Sequence, residues 1–523
     1  MPQQHSDSQS KSRERHRQQL EPAARARALG TMPSPSDALR AYLPAFVEPS
    51  QHFLTYYTIG ADKSVHAQQY TRGEFYELAC RAASVIAGAG VEPGGMQTHF
   101  FSCNTLGDLA FRLASVMMGT TPCTVNWQAD TAERVVHKVT VTGSALVLVD
   151  DETPADVVAL VQAQCAGVRI FNVSALPSQP PLAESRFCGA LPDDAETSRI
   201  VIFTSGTTGN PKGVRLSYRS YRCNRATFES FLQAGEGKRL VAVVVNPLHH
   251  TNSTSISDWA MRKPGSELHL VQRYSTQYWS VLARAGTSIG IEQPATEAEL
   301  LGAIERRHAD GGAVLVAPLV SRHFDFLDGL ATADALPLPR RALRCAMEQT
   351  ILLLGSAPVG PTTVGRLREH AGKLPTVRFG STETCLQVMG TPLYLSEEQR
   401  YAAFEAGWAH THNGVASTGY YIGRPHPPFT EVRVVRSVER GAAGYMEECA
   451  DGEPGQLITR GHNIMSSYVG NEAATAAAIH DDGWYVNLGD VCFRLPSAAD
   501  GEADYFWLSR DSALLIRGGA NYS

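Results

Sequence analysis

The chain of 523 residues has ten cysteines but no C-x-x-C pair, the spacing on which zinc ribbons and dithiol redox sites are built. They stand singly from Cys80 to Cys492. That pattern excludes a disulfide framework and suits a reducing compartment with buried thiols. A basic excess is also missing. Lys and Arg number 46 against 52 Asp and Glu, for a net charge of −6, which argues against nucleic acid as a partner. No apolar run approaches the roughly 20 residues that cross a bilayer; the best candidate, Leu240-Val-Ala-Val-Val-Val245, is strand-length. The N-terminus lacks the apolar segment of a secretory signal. A cytoplasmic location is therefore expected, with peripheral membrane contact, organelle targeting by the N-terminal arginines and the oligomeric state left open. No internal repeat is visible.

A chain this long calls for two or more domains or subdomains. Residues 1–37 are rich in Ser, Gln, Arg and Pro, as in Ser8-Gln-Ser-Lys-Ser-Arg-Glu-Arg-His-Arg17, and poor in large apolar groups. They read as a disordered polar tail. Beyond Tyr70 the pattern alternates. Helices are predicted at 73–87, 106–118, 129–141 and 155–166, and strands at 97–101, 122–126, 145–149 and 168–173. Such alternation builds a parallel, doubly wound layer. A Pro-rich connector at 174–197 leads to a second series, with strands at 240–245, 267–271, 314–317, 351–354 and 377–379 and a helix at 276–284. Residues 285–312 and 328–345 read as inserted helix-plus-loop material. From Thr430 the strands are short and separated by Gly. The expected fold class is α/β: two doubly wound, mostly parallel-sheet subdomains plus a small β-barrel-like subdomain.

Phe203-Thr-Ser-Gly-Thr-Thr-Gly-Asn-Pro-Lys-Gly213 is the most unusual stretch. It follows the β-branched run Arg199-Ile-Val-Ile202 and precedes a predicted helix with Ser217 as N-cap. Strand, Gly/Thr/Ser loop and helix is the physical recipe for holding phosphates. Glycines let backbone N–H groups turn inward, hydroxyls donate, and Lys212 adds a mobile positive charge. Taken alone, such a loop is more readily a solvated turn. It is also no Walker A loop, since Lys212 is followed by Gly213 and not by Ser or Thr.

As written, Thr204-Ser-Gly-Thr-Thr-Gly-Asn-Pro-Lys-Gly213 resembles the phosphate loop of the adenylate-forming enzymes, the superfamily of acyl-CoA synthetases, peptide-synthetase adenylation domains and luciferases. Further blocks match in the same order, so the resemblance covers roughly residues 40–523. It implies a large N-terminal domain at 38–508 and a hinge segment at 509–523. Ile351-Leu-Leu-Leu-Gly-Ser-Ala-Pro358 is similar to the turn that lies against adenine, which implicates Gly355, Ser356 and Ala357. Arg378-Phe-Gly-Ser-Thr-Glu383 resembles the aromatic-Gly-x-Thr-Glu block. There the resemblance puts Phe379 on the adenine, with Gly380 and Ser381 beside it, and Thr382 on the α-phosphate. Glu383, with Thr204, would hold Mg²⁺, which takes hard oxygen ligands shared with phosphates.

Gly483-Trp-Tyr-Val-Asn-Leu-Gly-Asp490 is similar to the block whose aspartate binds both ribose hydroxyls, with Asn487-Leu488 where the family has Thr. Trp507-Leu-Ser-Arg510 resembles the start of the hinge, in which Arg510 would meet ribose or phosphates. The family's Asp or Lys pivot falls on Ser512. Arg460-Gly-His-Asn-Ile-Met-Ser-Ser-Tyr468 resembles a block read as structural, with Ser467 for its glycine. Asn246-Pro-Leu-His-His-Thr-Asn-Ser253 matches the block whose histidine sits at the acyl-carboxylate end of the pocket. His250 aligns with it, and His249 is the alternative.

The resemblance implies attack of a small-molecule carboxylic acid on the α-phosphate of ATP, giving an acyl-adenylate that passes to CoA, with fatty-acid metabolism an expected setting. Thr204, Ser205, Gly206, Thr207, Thr208, Gly209 and Lys212 would cradle the phosphates. In-line displacement at phosphorus asks for position and charge more than covalent help. Two alternatives stand beside this reading: a nucleotide-binding pseudo-enzyme or scaffold, and a module that loads a carrier protein. The family's small C-terminal domain, with its lysine, is not expected in this chain, which reads as a fragment.

Overall fold

The computed structural model describes residues 46, 48–188, 197–204, 210–309, 312–480 and 482–510, and the backbone of 515–517 and 520–522. The predicted tail at 1–37 and part of the hinge, Ser512 included, lie outside them.

Two large sheets carry the chain. The first has seven strands in the order Ser467–Tyr468, Lys212–Ser217, Ser198–Thr204, Thr121–Thr124, Met96–His99, Leu146–Val149, Arg169–Asn172. Its last five strands run parallel. Antiparallel pairing at one edge adds Lys212–Ser217 and then Ser467–Tyr468. The second sheet has thirteen strands. Its parallel part runs His52–Ile59, Glu267–Val271, Arg239–Val244, Ala313–Leu319, Thr350–Leu354, Thr376–Phe379, with Val65–Thr71 antiparallel at the edge.

The strand Arg239–Val244 shows why this sheet is covered on both faces. Side chains alternate across a strand, and here both sets are apolar. Leu240, Ala242 and Val244 enter one hydrophobic cluster, while Val241 and Val243 enter another. A strand apolar on both faces belongs in the middle of a doubly covered sheet. The first cluster also takes Leu146 and Leu148 from the seven-stranded sheet, with Phe111 and Leu113 of the helix Leu106–Met118. One core therefore spans both sheets. That helix is fixed at both ends. The Thr105 side chain accepts a hydrogen bond from Asp108 N–H, and Gly119 closes the helix at φ +65°.

One expectation changes and another is located more closely. Lys212–Ser217 is a strand, so the phosphate loop closes a β-hairpin instead of opening a helix. Val214 and Leu216 supply the inward alternation of that strand, a signal too short to outweigh the glycines before it. The helix itself is Tyr218–Phe231, and Ser217 caps it as expected, accepting from Ser220 N–H at 3.1 Å. The β-rich C-terminal part, expected as a barrel-like subdomain, is antiparallel and hydrogen-bonded onto the parallel sheet. Met389–Gly390 joins Thr376–Phe379 to Tyr420–Pro425, and Ala503–Arg510, Asp490–Pro496, Gly455–Gly461 and Thr430–Val435 follow in order. Among the described residues no helix is long and apolar enough to cross a membrane.

Gly423 is the tightest point of that junction. Its φ is +87°, and a Cβ there would lie 2.1 Å from the carbonyl carbon of Gly390. Gly423→Ala is expected to cost about 3 kcal/mol, read as a lower denaturation midpoint. Gly501→Ala has the same backbone sign but open space around it and should cost only about 1 kcal/mol.

Candidate active site

The hairpin sets the frame. Thr204 pairs with Lys212 across it, and the Thr204 hydroxyl donates to the Lys212 carbonyl at 3.5 Å. Ser205, Gly206, Thr207, Thr208 and Gly209 lie outside the described residues, so the two feet of the loop are what the structure places. Ser467 and Tyr468 pair with Arg215 and Val214 on the outer strand, and Val469 N–H donates to the Gly213 carbonyl at 2.8 Å. This registers the Tyr468 ring against Lys212, whose Nζ lies 5.0 Å from the ring centre.

Glu383 reaches the same tyrosine from the other sheet. The Tyr468 hydroxyl donates to Glu383 Oε1 at 3.1 Å, and Met465 N–H donates to the Glu383 carbonyl at 2.7 Å. The turn that carries Glu383 follows the strand Thr376–Phe379. Ser381 N–H donates to Thr384 Oγ1, Cys385 N–H to the Thr382 carbonyl, and Leu386 N–H to the Ser381 carbonyl. Cys385 and Leu386 both adopt positive φ. A Cβ on Gly380 would sit 1.8 Å from the Leu386 carbonyl oxygen, so only glycine fits there. Phe379 packs half-buried against the cluster containing Ile200, Ile202 and Val214.

Gly355, Ser356 and Ala357 end the neighbouring strand. Ser356 and Ala357 are exposed, with Ser356 at φ +68°. Arg378 braces them from behind. A Cβ on Gly355 would lie 2.8 Å from the Arg378 guanidinium carbon, and Arg378 Nη2 donates to Ser356 Oγ at 3.2 Å. Arg378 is 3% exposed, and burial holds its pKa down to about 10.

Asp490 is almost fully buried. One carboxylate oxygen, Oδ1, accepts from Trp507 Nε1 at 2.8 Å and pairs with Arg510 Nε at 3.2 Å. Arg510 also donates through Nη1 to the Leu488 carbonyl at 2.8 Å. Burial raises the Asp490 pKa, Arg510 and Trp507 oppose the rise, and the negative charge of nearby Glu383 adds to it. Asp490 and Arg510 thus act as one unit, and both belong to the neighbourhood of Glu383.

The histidine pair sits at the start of the helix Thr251–Arg262, every residue of which is buried. His249 is 4% exposed, with the Trp127 ring edge-on at 4.2 Å and its Nε2 3.1 Å from that of His250. His250 itself is open to solvent. Burial, then the charges of His250, Lys138 and Arg112, push His249 down to about 2, so its ring is neutral. Lys138 stacks over Phe203, one residue before the hairpin foot. Arg378, Trp507, Trp127 and Tyr468 received no site role in the sequence reading. Arg378, Tyr468 and Trp507 lie inside the family-like motifs, whereas Trp127, between a predicted strand and a predicted helix, carried no signal.

The carboxylate of Glu383 forms no ion pair among the described residues; the partners of Glu383 are the Tyr468 hydroxyl and, through its backbone carbonyl, Met465 N–H. A half-buried, uncompensated carboxylate is the donor a hard divalent cation takes, so the site fits Mg²⁺. Thr204 is less free, its hydroxyl being turned to Lys212. A separate cluster of Asp328, Glu369 and His370 converges within 4.8 Å, but Arg366 already pairs with Asp328 there.

A hairpin with Thr204 and Lys212 at its feet, a carboxylate without an ion pair among the described residues, and a buried aspartate paired with an exposed arginine thus gather around Tyr468 on an α/β scaffold. The sequence profile described as AMP-binding enzyme matches residues 48–469. The chain belongs to that family. It is 26% identical over 332 residues to the 2-succinylbenzoate–CoA ligase of Bacillus licheniformis, covering 63% of this chain and 52% of that protein. It is also 26% identical over 332 residues to the sulfoacetate–CoA ligase of Cupriavidus necator, covering 63% and 51%. The chain thus spans about half the length of these relatives. Among solved structures, the o-succinylbenzoate CoA synthetase of Bacillus subtilis with its acyl-adenylate intermediate superposes with a TM-score of 0.65. That pair shares 21% identity and covers 92% of this chain and 80% of the other, which shows the fold.

Burial holds His249 at about 2 and His323 and His426 at about 4, against an ordinary 6.5. The unfolded chain takes up these protons as pH falls below 6.5, whereas the folded chain does not. Stability is therefore expected to fall with pH, His323 and His426 contributing down to about 4 and His249 down to about 2. Each adds up to about 1.4 kcal/mol per pH unit. Denaturation midpoints between pH 7 and 5 check the slope, which His249→Phe should lessen.

Proposed function

We propose that the chain activates a carboxylic acid by displacing pyrophosphate from ATP, and that the resulting acyl-adenylate is passed to CoA. The observation that carries the reading is the convergence of Lys212 and Glu383 on Tyr468, from opposite sheets, beside the Asp490–Arg510 pair. The names of the CoA-ligase relatives support the acceptor. Lys212 and the loop from Thr204 to Gly209 bind the β- and γ-phosphates, and Thr382 the α-phosphate. Phe379 to Ser381 and the turn from Gly355 to Ala357 form the adenine slot, with Arg378 fixing the turn. Asp490 accepts from the ribose hydroxyls through its second oxygen, while Arg510 holds the first.

Mg²⁺ held by Glu383, when bound, offsets phosphate charge. His250 orients the attacking carboxylate with its exposed ring, and neutral His249 fixes the His250 ring from behind. Carboxylate attack at phosphorus needs no base, so position and charge supply most of the rate. The ten cysteines are all free, which supports a reducing, cytoplasmic setting. The substrate relatives name are chemically diverse, so fatty-acid activation is one setting among several.

ATP–pyrophosphate exchange across a panel of aliphatic, aromatic and dicarboxylic acids tests the reading. At least one acid should support exchange, and Lys212→Ala should lower it by roughly a hundredfold or more. Binding of ATP with no exchange for any acid would favour a nucleotide-binding scaffold instead.

A further inference from the structure

Tyr468 is 3% exposed and makes two different contacts with opposite charges. Its ring face lies under the Lys212 ammonium at 5.0 Å, and its hydroxyl donates to Glu383 Oε1 at 3.1 Å. The strand pairing with Val214 and Arg215 sets the ring's position, so Lys212 and Glu383 meet a partner that is itself fixed. Tyr468 has one hydroxyl proton, spent on Glu383. Tyr485, 3.4 Å away oxygen to oxygen, spends its own on the Asn487 carbonyl at 3.0 Å. A phenol hydroxyl is protonated at neutral pH, so Tyr468 is a donor to the carboxylate.

We propose that Tyr468 is a positioning residue of the nucleotide site: its hydroxyl fixes Glu383 Oε1 and leaves Oε2 as the cation-facing oxygen, while its ring holds the Lys212 ammonium at the hairpin foot. The proposal rests on the nucleotide-site reading above. A carboxylate with one oxygen tied has fewer rotamers to lose when the cation binds. An ammonium over an aromatic face is held without a counter-anion that nucleotide phosphate would have to displace. A purely structural tyrosine would need neither polar contact, only its buried ring.

The two contacts separate by substitution. Tyr468→Phe keeps the ring and removes the hydroxyl; Tyr468→Leu removes both; Tyr485→Phe removes a hydroxyl that does not serve Glu383. Mn²⁺ binding in the presence of ATP, followed by its electron paramagnetic resonance signal, reads the carboxylate. Metal-free ATP binding, followed by calorimetry, reads the lysine. Tyr468→Phe is expected to weaken Mn²⁺ about fivefold to tenfold and change metal-free ATP binding less than about twofold, as loss of one hydrogen bond to a charged group implies. Tyr468→Leu should also weaken metal-free ATP about twofold to fivefold, the loss expected for an exposed-to-buried cation–π contact. Tyr485→Phe should leave both within about twofold.

Equal Mn²⁺ affinity in the wild type and Tyr468→Phe would overturn the proposal while leaving the nucleotide site standing. Wild-type protein that binds no ATP would overturn both. Thermal melts accompany each variant. If Tyr468→Phe does not fold, Glu383→Gln carries the test. It retains an acceptor for Tyr468, and it should lose Mn²⁺ binding but keep metal-free ATP binding; unchanged Mn²⁺ binding would overturn the proposal.

Discussion

The short antiparallel pairing of Ser467–Tyr468 with the hairpin strand Lys212–Ser217 is the constraint on which the site depends. Without it the hairpin is an edge of one sheet, and Glu383 is a turn residue at the end of a strand in the other. Two residues of ladder, supported by Val469 N–H on Gly213 and Ser466 N–H on Arg215, bring them together. Exposed strand edges invite wrong partners. Here a segment more than two hundred residues downstream covers the edge and carries the aromatic ring that the site uses.

The surroundings of that pairing are arranged to hold it still. Gly380 and Gly423 each occupy a place where a Cβ would collide with backbone, so the turn before Glu383 and the junction to the antiparallel strands have a single geometry. Asn463 donates to the carbonyls of Thr384 and Gln387 from within the block that leads to Tyr468. Polar groups buried in this way have to be satisfied by specific partners, which makes the arrangement unforgiving and therefore well defined. Charge is handled differently at each wall. Asp490 is paired with Arg510, His249 is neutral, and Glu383 and Lys212 have no ion-pair partner among the described residues.

Much of the fold was legible from local pattern. The helix Leu106–Met118 matches its prediction at both ends because Thr105 and Gly119 are unambiguous caps. Glu267–Val271 matches because five residues suitable for a strand stand between turns. The hairpin strand was missed, since Gly213 and the polar loop masked the two apolar residues that define it. The C-terminal strands were identified as β-rich, but their attachment to the parallel sheet runs through Met389–Gly390, two residues with no strand signal of their own. The site shows the same division. Lys212, Glu383, Asp490 and Arg510 stood out by motif. Tyr468, Trp507, Trp127 and Arg378 did not, because their roles arise from contacts with residues far away in sequence. The Tyr468–Glu383 bond alone spans 85 positions, and no local periodicity reports on it.

In the proposed function, segments scattered from Thr204 to Arg510 form one nucleotide site. Calorimetric titration of the chain with MgATP measures this directly. The expected result is one nucleotide per chain, with affinity reduced at least tenfold in Lys212→Ala and also in Asp490→Ala, two residues from opposite walls. Saturable binding that ignores both substitutions, or no binding at all, would contradict it.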